Sequence, residues 1–230
     1  NEAIDVYVNA MLIIDLQTLI EIQTNATKNA EWKAFKKQLE TNSRRYLWDQ
    51  KRQKFIPHIY PQGYPLPKDF DENKIHYHGG TAIAIEAGLL KRNEIKTVNR
   101  QMLENVRLSD MPSIGLTLYP TYPAGFFKGW MAEPYHYQNG GDWTWFGGRM
   151  IQQLARYGFY QEAYDELQPM IDRVVKNKGF YEWYGKNNVP SGSGKFKGSA
   201  GVLTKAITLS INRLQKQPSS NNKSMDKLIQ

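Results

Sequence analysis

Residues 129–145 hold a dense mixture of aromatic and polar side chains. The tryptophans and tyrosines there are interspersed with Glu133, His136, Gln138, Asn139 and Asp142. Aromatic rings stack on the apolar faces of sugar rings, while carboxylates and amides hydrogen-bond to sugar hydroxyl groups. The segment therefore predicts a carbohydrate-binding surface. The alternative is that these aromatic residues fill the mouth of a helical barrel.

The four histidines show no metal-binding pattern. His76 and His78 are two positions apart, so on a helix their side chains point away from each other. In an extended loop they could converge, but no third ligand is spaced to complete a site. No metal site is predicted. His136, between Tyr135 and Tyr137, is interpreted as a partner for sugar hydroxyl groups.

The segment 191–195, Ser-Gly-Ser-Gly-Lys, is not a phosphate-binding loop. It lacks the glycine spacing of a P-loop, and no strand is predicted before it. We expect a flexible loop over the binding surface. The sequence predicts no cofactor.

Seven helices are predicted to position these residues, because apolar side chains recur at intervals of three and four. The predicted ranges are 4–23, 30–47, 80–90, 93–107, 144–157, 160–177 and 200–214, with Asn93 expected to begin the fourth and Gly158 to end the fifth. Short polar links alternate with long aromatic ones, which predicts antiparallel pairs. The predicted fold class is all-α, a toroid of helical hairpins with its long loops on one rim.

Composition limits the function further. The net charge is +8, but the basic residues are scattered along helix faces among acidic ones, and no nucleic-acid-binding motif accompanies them. Nucleic acid is therefore not an expected partner. The absence of cysteine excludes disulfides and thiol catalysis. No apolar run reaches the roughly 18 residues of a membrane-spanning helix, so no membrane partner is predicted, and the compartment stays open.

Two segments resemble a known group of enzymes. Residues 137–143, Tyr-Gln-Asn-Gly-Gly-Asp-Trp, open a predicted helix, and residues 179–184, Gly-Phe-Tyr-Glu-Trp-Tyr, follow about forty residues later. Together they resemble the C-terminal half of the six-hairpin glycosidases, most closely the alkaline/neutral invertases and the amylo-α-1,6-glucosidases. Residues 5–10 and 77–82 are similar to two further helix starts of these families.

The resemblance implies hydrolysis of a glycosidic bond, of an α-glucoside, by an inverting pair of carboxyl groups. Glu182 is the implied general base, partly desolvated by its aromatic neighbours, and Asp5 the implied general acid, with Glu133 and Asp142 as its rivals. An ordinary turn glutamate and a helix N-cap are the alternative interpretations of Glu182 and Asp5. The residues expected to contact the sugar are Tyr137, Gln138, Asn139, Asp142, Trp143, Trp145, Glu133, His136, His78 and Tyr184.

The chain is short for the implied fold. Six hairpins comprise twelve helices, and seven are predicted here. The domain, 1–216, is therefore expected to be an incomplete toroid followed by a polar tail, 217–230. Either an N-terminal half or a second chain completes it, or the protein is a half-toroid. An exposed apolar helix face would then favour dimerisation.

Two other functions remain open. A sugar epimerase of the α/α-barrel type would use His58, His78 and His136 in place of a carboxyl pair. A non-catalytic glycan-binding protein would keep the aromatic surface and tolerate the loss of both carboxyl groups.

Overall fold

The structure, a computed structural model, describes residues 2–214. The predicted tail, 217–230, lies outside the described residues. Across the described range, no helix has both the length and the apolar character needed to cross a bilayer.

Seven α-helices dominate the described chain, which confirms the all-α prediction. They are α1 (Val6–Ile22), α2 (Ala26–Leu47), α3 (His78–Glu86), α4 (Arg92–Ser109), α5 (Thr144–Arg156), α6 (Tyr160–Asn177) and α7 (Lys197–Leu214). Two short antiparallel hairpins interrupt the long links. In the first, β1 (Trp48–Asp49) pairs with β2 (Lys54–Phe55), and in the second, β3 (Trp183–Tyr184) pairs with β4 (Pro190–Ser191).

Several helix ends differ from their predicted positions because of capping. Helix α2 begins earlier than expected, since the Asn25 side chain accepts a hydrogen bond from the Lys28 backbone N–H at 3.0 Å. The prediction of Asn93 as an N-cap is wrong. Lys91 holds that position, and its N–H donates to the Glu94 carboxylate at 2.8 Å. Gly158 follows α5 with a φ of +81°, as predicted.

The helices form two layers of a toroid. Helices α1, α3, α5 and α7 contact one another in that order and make the inner layer, while α2 packs on α1, and α6 on both α5 and α7. An inner helix has neighbours on several sides. Accordingly, α3 is buried from His78 to Ile85, and α5 buries most of its length. One apolar core runs through both layers, with Ile13, Ile83 and Ile151 among its fully enclosed members.

The N-terminal ends of the inner helices gather at one end of the toroid. The Tyr7 ring of α1 meets the Phe146 ring of α5 at 6.0 Å between centroids, and Trp143 before α5 meets Phe196 before α7 at 6.2 Å. We call this end the N-terminal rim. The long links 48–77, 110–143 and 178–196 each lead into an inner helix there.

Candidate functional site at the N-terminal rim

The segment 137–143 is organised around a buried amide. The Asn139 side chain is fully enclosed; its Oδ1 accepts from the Tyr122 backbone N–H at 2.9 Å, and its Nδ2 donates to carbonyls of Tyr122, Met131 and Glu133 at 3.2–3.3 Å. Asn139 thus joins the two halves of the link that precedes α5. We correct its predicted contact with a sugar to a positioning role, because no part of its side chain reaches the surface.

The two glycines of this segment are required by its backbone. Gly140 has a φ of +87°, a conformation that side chains disfavour. At Gly141, a Cβ atom would lie 2.2 Å from the carbonyl oxygen of Tyr137. The Asn-Gly-Gly order therefore makes a tight turn that brings Tyr137 back towards Trp143.

Asp142 belongs to a buried ion pair. Its carboxylate accepts from Arg173 Nη1 of α6 at 2.8 Å and from Ser113 Oγ at 2.7 Å, and both charged side chains are fully buried. Arg173 also donates to Thr144 Oγ1 at 2.6 Å. The pair leaves Asp142 no exposed atom, so we correct both its predicted sugar contact and its candidacy as general acid to a positioning role.

Tyr184 lies on the other side of the same ion pair. The Arg173 guanidinium carbon sits 4.1 Å from the centre of the fully buried Tyr184 ring. The backbones of Asp142 and Tyr184 exchange hydrogen bonds of 2.9 and 2.8 Å. These bonds attach the hairpin of Glu182 to the segment 137–143. The predicted contact of Tyr184 with a sugar is likewise corrected to a positioning role.

An aromatic cluster forms beside this attachment. The Tyr137 ring meets Trp143 at 5.0 Å and Trp183 at 6.4 Å, and His136 lies 5.6 Å from Trp183. The Trp143 indole N–H donates to the Tyr137 carbonyl at 3.0 Å. Trp143 and Trp183 are buried, and Tyr137 is half-buried. His136 and Gln138, which flank Tyr137 in the chain, are exposed. The structure therefore brings Tyr137 and Trp143 together with Trp183. The predicted sugar contact of Trp143 is corrected to a packing role because its indole is buried, whereas Tyr137, His136 and Gln138 keep exposed surface.

Glu182 lies immediately before β3 and is the chain neighbour of Trp183 in this cluster. Its side chain is half-buried, and its carboxylate accepts from the Ser193 backbone N–H at 3.3 Å. Its own N–H donates to the Ser193 carbonyl at 3.0 Å. A half-buried carboxylate held by a single backbone donor keeps its second oxygen available for a water molecule or a sugar hydroxyl.

The candidates for the general acid are placed differently. Asp5 is half-buried and caps α1, accepting from the Val8 N–H at 2.9 Å. The helix-cap interpretation of Asp5 is thus confirmed. The cap uses Asp5 Oδ1, so Oδ2 takes no part in it. Glu133 is exposed in the link before α5.

The rings of His76 and His78 stack at 5.9 Å between centroids and do not point apart, because His76 lies before α3 and not on it. His78 is buried, its Nε2 is 3.0 Å from Asn105 Nδ2, and burial together with the nearby His76 and Lys54 lowers the pKa of His78 to about 3. A buried, neutral ring cannot contact a sugar, so the predicted sugar contact of His78 is corrected to a structural one. This placement also weakens the epimerase alternative. Within residues 2–214, no group of three or more potential ligands is arranged to hold a metal ion.

His58 is part of a carboxylate network that the sequence analysis missed. Its Nδ1 lies 2.9 Å from Glu72 Oε1, which also accepts from the hydroxyls of Tyr60 at 2.9 Å and Tyr122 at 2.5 Å. Burial alone would raise the pKa of Glu72, but these hydrogen bonds outweigh it and lower the pKa. The network ties the link before α3 to the link before α5.

Glu166, midway along α6, provides a stability test. Burial, together with the charges of Asp165 and Asp142, raises its pKa from 4.5 to about 7. The folded state then holds a proton that the unfolded state has lost, so stability falls as the pH rises from about 4.5 to 7 and stays lower above. We expect Glu166→Gln to stabilise the protein by about 2 kcal/mol at pH 8 and by almost nothing at pH 4.

The measurement is urea unfolding of wild type and variant at both pH values. Glu162→Gln, on the same helix, is the control and should change little at either pH. An equal effect of Glu166→Gln at pH 4 and pH 8 would contradict this interpretation of the buried carboxyl.

The sequence matches no known family model and no curated protein. Solved structures do match. The GH63 mannosylglycerate hydrolase from Thermus thermophilus in complex with glucose is 18% identical with a TM-score of 0.60, over 91% of this chain and 48% of that one. The same hydrolase with Tris and D-glycerate gives 18% identity and a TM-score of 0.63, over 91% and 46%. An uncharacterized conserved protein from the same organism gives 19% and 0.61, over 91% and 47%.

At this level of identity, the likeness establishes the fold and not the activity. The chain spans about half the length of the solved structures it matches. Its seven helices therefore have the architecture of part of an α/α toroid of helical hairpins, the fold class that the sequence predicts.

Proposed function

We propose that this chain is the C-terminal half of a glycoside hydrolase and cleaves an α-glucoside-type oligosaccharide with inversion. The proposal rests on the arrangement of side chains at the N-terminal rim. The half-buried Glu182 directly precedes Trp183 in the chain, and the Trp183 ring packs against the half-buried Tyr137 and the exposed His136. A carboxylate close to accessible aromatic and polar side chains suits the binding and hydrolysis of a sugar.

The solved structures add support of a general kind. The matched hydrolase is a glycoside hydrolase and was determined with glucose and with D-glycerate. We therefore take a glucose-type sugar as the first substrate class to test on this chain. The linkage and the anomer are part of our proposal.

In the proposed mechanism, Glu182 removes a proton from a water molecule, which attacks the anomeric carbon from the face opposite the leaving group. A carboxylic acid on the other side protonates the departing oxygen, and Asp5 is our first candidate for that acid. The two carboxyl groups of an inverting enzyme stand roughly 6.5–9.5 Å apart, which leaves room for the water.

The test is a reducing-sugar release screen over α- and β-linked oligosaccharides, using this chain and any longer natural protein that contains it. Release from an α-glucoside, with the β-anomer as the first product by NMR, supports the proposal. Release with retention of configuration would overturn the mechanism.

One observation favours the glycan-binding alternative. Asp5 is engaged as the cap of α1, and a protein that only binds sugar needs no general acid. The glycan-binding alternative would be established if calorimetry showed sugar binding while neither this chain nor a longer protein containing it hydrolysed any substrate. The absence of both binding and turnover would refute both functions.

Helix α1 presents an apolar stripe that bears on how the toroid is completed. Val8, Leu12, Leu19 and Ile22 are spaced by three, four or seven residues and are 38–69% exposed, with the exposed Asp15 between Leu12 and Leu19 on the same face. That spacing places them on one face of the helix region. This chain covers only 48% and 46% of the two matched structures. A second copy of the chain therefore has about the size of the uncovered half, and it could pack against this face of α1.

We therefore expect the isolated chain to self-associate through α1. Multi-angle light scattering at micromolar concentrations should show a dimer for wild type and a monomer for Val8→Glu/Leu12→Glu. Thr18→Glu, on an exposed polar position of the same helix, should leave the dimer intact. A monomeric wild type would instead favour further hairpins of a longer chain as the cover.

A further inference from the structure

A groove lies between α5 and α7 and extends to the C-terminal end of α3. Its volume is about 280 Å³. Trp145 and Arg149 of α5, Lys197 and Lys205 of α7, and Glu86 of α3 line it. Because these are inner helices, the groove runs along the inner layer of the toroid, starting from the rim at Trp145.

The groove is open because α7 carries glycine where it lines the cavity. A Cβ atom on Gly201 would meet no atom within 4 Å. Glycine inside a helix is destabilising relative to alanine, and no neighbour requires it here. The missing side chain therefore leaves space in the groove without serving the packing of α7.

The charges of the groove are unbalanced. Arg149 forms an ion pair with Glu86, and its guanidinium also lies 4.3 Å from the centre of the Trp145 ring. Lys197 and Lys205 are exposed, and neither has a carboxylate within 4.0 Å among the residues that the structure describes. Three cations and one carboxylate give the lining a net charge of +2.

These features match a sugar that carries a negative charge. The half-buried Trp145 indole lines the groove with the Arg149 guanidinium over its ring, and the part of the indole that stays exposed gives a sugar ring an apolar surface to pack against. The lysines stand at the two ends of just over two helical turns, about 12 Å apart along the axis of α7. An anionic substituent on the sugar can thus meet a cation at either end, while hydroxyl groups face the Arg149–Glu86 pair.

We propose that this groove binds a saccharide bearing an anionic substituent, and so selects acidic sugars. The inference rests on the proposed function in taking the ligand to be a saccharide. It goes further by assigning a site and a charge to that ligand. The anion is a carboxylate or a phosphate, which offer the same oxygens to ammonium and guanidinium groups.

The test compares three sugars with one ring and different groups at C6: glucose, glucuronate and glucose 6-phosphate. Titration of the chain, followed by NMR, should show the better anionic sugar binding about tenfold more tightly than glucose. The preference should shrink in about 0.5 M salt, because screening weakens partly exposed charge pairs. Tight binding of glucuronate alone identifies a carboxylate site, and of the phosphate alone a phosphate site.

Two variants locate the site. Lys197→Gln/Lys205→Gln should remove the preference for the anionic sugar, whereas Lys96→Gln/Lys176→Gln, at exposed positions of α4 and α6, should retain it. Gly201→Leu keeps every charge but fills the groove, and should weaken binding of the anionic sugar at least tenfold.

Equal binding of all three sugars, or a preference that survives both groove variants, would overturn the inference. Hydrolysis of neutral oligosaccharides without any anionic preference would refute the groove but not the proposed function. A preference for the anionic sugar without hydrolysis of any substrate would support the groove and refute the proposed hydrolase function.

Discussion

Replacing Glu182 with glutamine is expected to lower kcat at least about 10³-fold on any oligosaccharide that the wild-type protein hydrolyses. General base catalysis contributes about 10²- to 10⁴-fold to a reaction of this kind. An inverting enzyme has no second group to activate the water on that face of the sugar. Glutamine has nearly the same shape and cannot accept the proton.

The fold should survive this change. The Glu182 carboxylate accepts one protein hydrogen bond, from the Ser193 N–H at 3.3 Å, and the glutamine amide oxygen can accept the same bond. Stability in urea should therefore change by less than about 0.5 kcal/mol. Glu162→Gln on α6, another half-buried carboxyl, is the matched control and should retain full activity. Wild-type turnover in Glu182→Gln would remove Glu182 from the mechanism.

The same assay separates acid from base. A substrate with an activated leaving group, such as a glycosyl fluoride, needs no protonation as it departs. Loss of the general acid is therefore rescued by this substrate, while loss of the base is not. Asp5→Asn should show such rescue if Asp5 is the acid. Rescue of Glu133→Gln in its place would assign the role to Glu133.

The sequence predicted the fold well because helical periodicity is a local property. All seven helices exist, and the long aromatic links between them lead to one end of the toroid. The errors lie at the helix ends, because a single capping hydrogen bond determines the residue at which a helix begins. Asn25 and Lys91 begin their helices through side-chain and backbone contacts that the apolar pattern does not contain.

The resemblance placed the segments 137–143 and 179–184 in one site, and backbone hydrogen bonds between Asp142 and Tyr184 do join the two segments. The catalytic role of Glu182 stays a prediction, and several expected sugar contacts are wrong. Asn139, Asp142 and Tyr184 are fully buried. Residue types indicate which side chains gather together; they do not indicate which of them face solvent. Asn139 is turned inwards to bond backbone groups of Tyr122, Met131 and Glu133, and Asp142 is turned inwards to pair with Arg173.

Long-range partners were missed for a related reason. Arg173 lies 31 residues from Asp142, and Arg149 lies 63 residues from Glu86. The sequence did hold one signal. Arg173 follows Ala163, Leu167 and Met170 on the buried face of α6, where a charged residue requires a partner. An arginine on an apolar face of this kind predicts a buried acid, without naming it.

That ion pair is the basis for the second large effect. Replacing Arg173 with methionine should destabilise the protein by about 3–5 kcal/mol, because it leaves the Asp142 charge buried without a partner. Both side chains are fully buried, so solvent cannot screen the charge. Urea unfolding measures the loss. Arg156→Met, at an exposed position near the end of α5, should cost little.

The double variant Arg173→Met/Asp142→Asn tests whether the unpaired charge is the cause. Asparagine removes the charge and can still accept a hydrogen bond from Ser113 Oγ, which lies 2.7 Å from the Asp142 carboxylate. The double variant should therefore be more stable than Arg173→Met alone, although it lacks one more native group. If it is less stable instead, the pair contributes through its attachment of α6 to β3 and not through charge. In either case we expect the hairpin that follows Glu182 to loosen, because the Asp142 backbone is hydrogen-bonded to Tyr184 of β3.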